Sequence, residues 1–322
     1  MSPLSVDERD MLRGSLRRLL TGTDPEKVAA ALDEFGWPDL LAADPAEAVP
    51  ALFETQGETV TTTPALSAVM AAPLLTPVPD SVRARRWTVV LSDPAASSEP
   101  GRGAYALTAG APISWSLFVT GAAGEAVLWA VDATEVSRPV EGVDPWLGLV
   151  RLDAGAGGRA VVVARGDAVA AGWEAAVAAG RRALAHELCG LSRAMLALAV
   201  DHARERRQFG QAIGAFQAVK HRLADAKVAV TAAEAAADEA WADPGPLTAL
   251  LAKLWAGRAA RLTAKQAQQV LGGMGFTWEH PFHRHVRRAL VLDTLLGSTT
   301  ELQHELGRTL LATAELPRLA GL

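Results

Sequence analysis

One cysteine, Cys189, stands in 322 residues, so no internal disulfide can staple the chain. Its neighbours Leu188, Leu191 and Met195 form an apolar helical stretch. The thiol therefore reads as a small buried side chain rather than a nucleophile, and the compartment as a reducing one. A basic excess is also missing: the net charge is −5, and the arginines alternate with Glu and Asp along helices instead of gathering into a tail, which excludes a nucleic-acid footprint. No segment approaches the ~20 uninterrupted apolar residues of a membrane span. The start, MSPLSVDERD, lacks the basic region and apolar run of a secretion signal. The expectation is a cytosolic protein with neither nucleic acid nor membrane as partner. There is no internal repeat. What is present, 50% hydrophobic and 21% charged residues, is the composition of a globular chain with two or three cores.

The patterning predicts an α+β protein, mostly α, in three domains. Residues 1–80 read as a shortened N-terminal helical domain: Ser5 and Glu8 have capping-box spacing, and Asp24, Pro25 and Glu26 supply an N-cap, an N1 proline and a first-turn acid. LLTPVPDSVRA marks the first boundary. Residues 81–170 read as a small antiparallel β domain, from short β-branched and aromatic runs (WTVVLS, YALTA, WSLFVTG, AVLWAVDA, RAVVVA) parted by Gly, Pro and Asp. Trp115, Phe118, Trp129 and Trp146 within it read as sheet packing. Residues 171–322 read as a bundle of long Ala-, Leu- and Arg-rich helices over 173–208, 215–242, 247–271 and 281–297, with a last one opened by Ser298 and Glu301.

Two segments of the bundle suit a phosphate-bearing ligand. In ERRQFGQAIGAFQAVKHRLAD, residues 205–225, Arg206 is a permanent cation with a planar fork, Phe209 offers an aromatic face at a helix end, and the Gln217 amide both donates and accepts. Taken alone, Arg206 and Arg207 read more plainly as solvated cations at a helix C-terminus. In QQVLGGMGFTWEHPFHRHVRRA, residues 268–289, Gly272 and Gly273 allow backbone N–H groups to approach a pyrophosphate, although a glycine pair is also an ordinary helix C-cap. Glu279, His280, His283 and His285 are ligand types for a metal, but His283 and His285 are two apart and cannot share a helix face, so no metal site is assigned.

At this separation the two segments resemble the acyl-CoA dehydrogenase family, whose members carry close variants of both, the second as Q-x-L-G-G-x-G-[FY]-T-x-E-x-P. The resemblance spans residues 173–318 by motif and the rest by domain order alone. It implies that Arg206, Gln208, Phe209 and Gln217 contact the ADP portion of FAD, usually across a subunit interface. It further implies that Gln269, Gly272 and Gly273 meet the pyrophosphate and that Thr299 lies beside the cofactor.

The resemblance also implies a carboxylate that takes the pro-R α-proton of an acyl thioester while flavin N5 accepts the β-hydride. Its commonest place is the first Glu of an E-G-T-S-E segment. Here that segment is LLGSTTEL: Leu296 holds the place when counted from Arg287, and Gly297 when counted from Glu301. The family's second place, near the start of the first long helix, falls on Gly180 beside Arg181. None of these accepts a proton, so no catalytic residue is assigned. Of the nearby acids Glu187, Asp293 and Glu301, the last reads as the N3 partner of Ser298, and Glu187 as a solvated charge on a helix face. The family's isoalloxazine-cradling strands have only the weak counterparts SDPAASSEPGRG and LTAGAPISW.

Keeping the ADP-side motifs while losing base and ring motifs is the arrangement of heterotetrameric bacterial steroid side-chain acyl-CoA dehydrogenases, and this chain resembles their shorter, non-base subunit. The resemblance implies FAD shared at a subunit interface, a full-length acyl-CoA dehydrogenase partner in an α2β2 assembly, and a bulky acyl-CoA substrate such as a steroid side-chain thioester. Two other readings stay open: flavin-independent chemistry on the same fold, and a non-catalytic module whose bundle only dimerises.

Overall fold

The computed structural model describes residues 4–76, 78, 87–92, 102–108, 115–122, 125–132, 137–153 and 160–312. The boundary expected at 80/81 and most of SDPAASSEPGRG and LTAGAPISW lie outside them. The N-terminal region forms helices α1 (Val6–Gly22), α2 (Val28–Glu34), α3 (Trp37–Ala43), α4 (Pro45–Thr59) and α5 (Ala65–Leu74). Ser5 and Glu8 close the expected capping box on α1. Asp24-Pro25-Glu26 differs from expectation: it makes one 3₁₀ turn, Pro25–Lys27, and Asp24 gives no side-chain cap. The Asp24 carboxylate instead takes Lys27 as an ion-pair partner, a local alternative that short polar side chains offer the backbone.

The middle region forms two four-stranded sheets. One has the order β1 (Thr88–Val89), β4 (Trp115–Ala122), β5 (Glu125–Asp132), β8 (Ala160–Arg165); the other runs β2 (Leu91–Ser92), β3 (Arg102–Leu107), β7 (Leu149–Asp153), β6 (Ser137–Pro139). Pairing is antiparallel except between β1 and β4, which is parallel. The run WTVVLS crosses from one sheet to the other at Val90, which explains why it yields two strands of two residues each. Val90, Ala106, Val131 and Leu152 form a small core between the sheets, with Trp129 against it, and Trp115 packs edge-on to Trp87. Trp146 departs from the sheet-packing expectation: it is 42% exposed, on the loop before β7.

The C-terminal region forms α6 (Asp167–Glu205), a hairpin of β9 (Arg207–Gln208) and β10 (Gln211–Ala212), α7 (Gln217–Ala242), α8 (Pro246–Leu271), α9 (Phe282–Thr294) and α10 (Thr299–Ala312). Helix α6 begins six residues earlier than its periodicity suggests and is the axis of the molecule, packing against α4, α5, α7, α8 and α9. Among the described residues it alone is long and apolar enough to cross a membrane, but 72% of its apolar window is buried inside the fold, as befits a core helix. Cys189 lies in this buried stretch, and burial pushes its thiol up, leaving it inert.

A backbone-to-backbone crossing sets the angle between α4 and α6. A Cβ on Gly190 would run into the Glu54 carbonyl oxygen and sit 3.0 Å from the Glu54 Cα; one on Gly57 would meet the Glu187 carbonyl oxygen and lie 2.9 Å from the Leu191 nitrogen. Only glycine permits this approach. One continuous core then joins Phe53, Met70, Leu117, Leu184 and Leu292, drawn from all three regions.

Candidate functional site

The two bundle motifs meet at one end of the molecule. Ala203 on the last turn of α6, Val219 on the first turns of α7, and Val270 and Leu271 ending α8 belong to one apolar cluster with Phe282. What this cluster carries outward is polar or strained. Arg206 ends α6, is exposed, and has no acidic partner among the described residues. Phe209 and Gly210 turn the β9–β10 hairpin with φ of 53° and 82°, the two-residue turn with both central residues at positive φ. For a phenylalanine that conformation is an outlier, and its ring is 92% exposed, set edge-on to Phe216 with centroids 6.2 Å apart. An aromatic that is strained and exposed at once is not a packing residue. Gln208 donates to the Arg207 carbonyl at 2.8 Å, and Gln217 is the exposed first residue of α7, whose first turn has no side-chain cap. Gln269 is exposed; Gly272, at φ 61°, and Gly273 have nothing within 4 Å of where a side chain would begin. An unpaired guanidinium, an open glycine pair and uncapped helix N–H groups are a donor set that fits a diphosphate.

Thr299 lies elsewhere. It is 4% exposed, its hydroxyl donates to the Asp293 carboxylate, and its N–H does so at 3.3 Å. It rests on Gly257, where a Cβ would come within 2.5 Å of Asp293 Oδ1. Gly257 precedes Leu271 by roughly 20 Å of helix.

Thr299 belongs to the neighbourhood where the resemblance leads a base to be expected. The two family positions for that base, far apart in the chain, converge: a Cβ on Gly180 would lie 2.5 Å from Leu296 Cδ1 and 2.9 Å from the Met70 sulfur. Leu296 thus covers Gly180. The loop between α9 and α10 is held from below by two cations. Arg181 Nε donates to the Leu296 carbonyl at 3.0 Å, its two other nitrogens pair with Glu305, and the fully buried Lys253 donates to the carbonyls of Asp293 at 3.1 Å and Gly297 at 3.2 Å. Burial lowers Lys253 to about 8 against the pull of Asp293. Above the loop a cleft of about 710 Å³ opens between the β2–β3–β7 sheet, the start of α6 and the α9–α10 loop. Glu301 is the acid on its rim, capping α10 as expected: Ser298 N–H and hydroxyl both donate to its Oε2 at 2.8 Å, lowering its pKa and making it a poorer proton acceptor.

Glu187 corrects the solvated-charge reading. It is 2% exposed, with Oε2 accepting from Gln56 at 2.8 Å and Oε1 lying 3.5 Å from Arg288. Arg288, wholly buried, ties three regions together: its Nε donates to Asp144, and its other nitrogens donate to the Thr61 carbonyl at 3.0 Å and the Thr62 hydroxyl at 2.9 Å. Beside them, Glu54 takes Arg193, Arg13 and His186. Burial would raise Glu54, but the His186 hydrogen bond and these charges prevail and hold it at about 2. The sequence signal for Glu187 is its setting: ALAHELCGLS is apolar on nearly every helix face, so a charge there has no solvated side to occupy.

Burial pushes Glu187 up to about 7 from an ordinary 4.5, outweighing Arg288 and Gln56. Between those values the folded protein binds a proton that the unfolded chain does not. The group's contribution is therefore complete below 4.5 and is lost as pH rises through 7, on the order of 3 kcal/mol. Urea unfolding should show wild type losing stability relative to Glu187→Gln between pH 5 and 8, and the comparison cancels the opposite slope of buried His285, whose pKa is lowered. Parallel stability curves for the two proteins would contradict the assignment.

Comparison with known proteins places this geometry in a class: the fold is that of the acyl-CoA dehydrogenases. The Tcur3481–Tcur3483 steroid ACAD G363A variant superposes with a TM-score of 0.77 over 95% of this chain and 98% of that one, at 22% identity. The ChsE4–ChsE5 complex from Mycobacterium tuberculosis gives 0.74 over 98% of this chain and 100% of that one, at 21% identity. Residues 171–311 match the family description "Acyl-CoA dehydrogenase, C-terminal domain". Acyl-CoA dehydrogenase IpdE2 of Mycobacterium tuberculosis is 41% identical over 123 residues, 38% of this chain and 39% of that protein. The chain thus spans no more than about two-fifths of the length of the curated relatives it matches first.

Proposed function

We propose that this chain is the non-base subunit of an FAD-dependent acyl-CoA dehydrogenase that introduces an α,β double bond into a bulky acyl-CoA. It acts with a full-length partner in an α2β2 assembly, and FAD is shared at their interface. The observation that carries this reading is the contrast between the two ends of the bundle. At one end Arg206, Phe209, Gln217, Gln269, Gly272 and Gly273 are open to a ligand. At the other, Leu296 covers Gly180, so both family positions for the base lack a proton acceptor. Arg206 would pair with a phosphate, Gln208 and Gln269 would hydrogen-bond the diphosphate, the glycine pair would let backbone N–H groups close on it, and Phe209 would lie against the adenosine. Bound flavin would supply the hydride acceptor, and the partner the carboxylate. A steroid side-chain thioester as substrate is supported by the similarity to a steroid ACAD.

Removing two of the diphosphate's donors tests the reading. The double variant Arg206→Ala/Gln269→Ala, co-purified with the partner, should weaken FAD binding by about 100-fold, since a charge-assisted hydrogen bond and a neutral one together contribute roughly 3 kcal/mol. Both side chains are exposed, so melting temperature should hold while flavin absorbance per complex falls. Full flavin content in the variant would leave the bundle as a dimerisation module.

A further inference from the structure

The histidines of EHPFHRH have no role in the ADP-side surface so far, and among the described residues no group of three His, Cys, Asp or Glu could hold a metal ion. We propose, on the strength of the ADP-binding reading of this end, that His280 and, from α6, His202 extend the diphosphate site. His280 donates to the anion while neutral, and His202 does so only when it carries a proton, so that binding takes up a proton.

His202 stands one helical turn before Arg206, whose N–H donates to the His202 carbonyl at 2.9 Å. Side chains four apart on a helix share a face, so the imidazole and the unpaired guanidinium lie side by side. The ring is partly exposed and has no hydrogen-bond partner among the described residues. Its charged neighbours are Arg206 and Glu205 on its own helix and His280 from the turn before α9, while Asp201 is taken by Arg204 at 3.7 Å. Burial and then the Arg206 charge hold His202 below its ordinary 6.5, so the free chain carries it neutral near pH 7. A diphosphate that pairs with Arg206 cancels that repulsion and sets an anion beside the ring, which favours the imidazolium.

His280 is built differently. Its Nδ1 accepts the Phe282 N–H at 3.2 Å, which leaves its proton on Nε2, and no described residue receives that proton. His283 steadies the turn by donating from Nδ1 to the His280 carbonyl at 2.8 Å. Burial, His202 and His283 together hold His280 below its ordinary value, so it stays a neutral donor of fixed tautomer. Ala203 and Phe282, beside the two histidines in the chain, belong to the one apolar cluster that joins the helix ends.

Because the bound state favours protonated His202, the gain in affinity is complete below the pKa of the free chain and is lost as pH rises through that of the bound one. ADP-ribose is the probe: it carries the adenosine diphosphate, no flavin, and no phosphate that titrates near neutral pH. Calorimetric titration of the lone chain should show its affinity falling about tenfold from pH 5 to pH 8. Proton uptake, read from buffers of different ionisation enthalpy, should accompany binding within that window. His202→Gln should flatten the profile at its high-pH value. His280→Ser, which keeps an acceptor for the Phe282 N–H, should weaken binding about fivefold at every pH. His221→Gln, exposed on α7 one turn past Gln217, should leave the slope unchanged. A pH-independent affinity, a slope unaltered in His202→Gln or lost in His221→Gln, or no binding at pH 5 would overturn the proposal. Flavin content of the co-purified complex at pH 8 is a separate readout of the ADP-binding reading, so either can fail while the other stands.

Discussion

Gly190→Ala, ordinarily a gain of about 1 kcal/mol in a helix, should instead destabilise this protein by at least about 3 kcal/mol. The methyl group would land on the Glu54 carbonyl oxygen of α4, a backbone atom that no rotamer change can move. The two helices would have to separate along their whole contact, opening space around Phe53 and Leu184, which the crossing now packs. Gly57→Ala attacks the same crossing from the other side through Glu187 and Leu191. The two changes should therefore be strongly non-additive: once the helices are forced apart, the second methyl costs much less. Urea midpoints for both single variants and the double variant measure this. Additive losses, or the ordinary gain for Gly190→Ala, would show that the helices are not in backbone contact.

Arg288→Leu should cost about 3–5 kcal/mol, because it leaves the Asp144 carboxylate, itself fully buried, without its counter-charge. Thr61 and Thr62 lose their donor at the same moment. Removing the stranded charge as well, in Arg288→Leu/Asp144→Leu, should recover much of the loss, since two apolar side chains can replace a buried pair at little cost. A double variant no more stable than the single one would mean that the hydrogen bonds to Thr61 and Thr62, rather than the charge pair, bind the three regions. Any change in flavin binding would come through altered docking of those regions, because Arg288 is closed off from solvent.

What is legible in the sequence is what is written locally. Capping at Ser5 and at Ser298 depends on residues three apart. The long bundle helices follow from Ala- and Leu-rich periodicity, and the residues proposed to meet the ADP half of FAD stand in short strings at helix ends, where the structure leaves Arg206, Phe209, Gln217 and Gln269 exposed. What stayed hidden depends on contacts across the chain. Gln56 and Glu187 are 131 residues apart and Asp144 and Arg288 are 144 apart, so nothing adjacent to either acid announces its partner. Lys253 sits in an ordinary-looking stretch of α8, and the carbonyls that receive its ammonium, those of Asp293 and Gly297, lie 40 and 44 residues further on. Strands β6 and β7 escaped because SRP and LVRLD are too short and too charged to show alternation; pairing with β3 is what makes them strands. The family string that marks Thr299 does not reveal that its hydroxyl turns inward to Asp293.

The central claim, that this chain supplies an ADP-side surface to a flavin completed by another subunit, is tested most directly by visible flavin absorbance. The protein is purified alone and again after co-expression with a full-length acyl-CoA dehydrogenase from the same source. Flavin in the co-expressed complex and none in the lone chain is the predicted result. Stoichiometric FAD on the lone chain, with turnover of an acyl-CoA, would contradict it and direct the search for a base to Glu301 on the rim of the cleft.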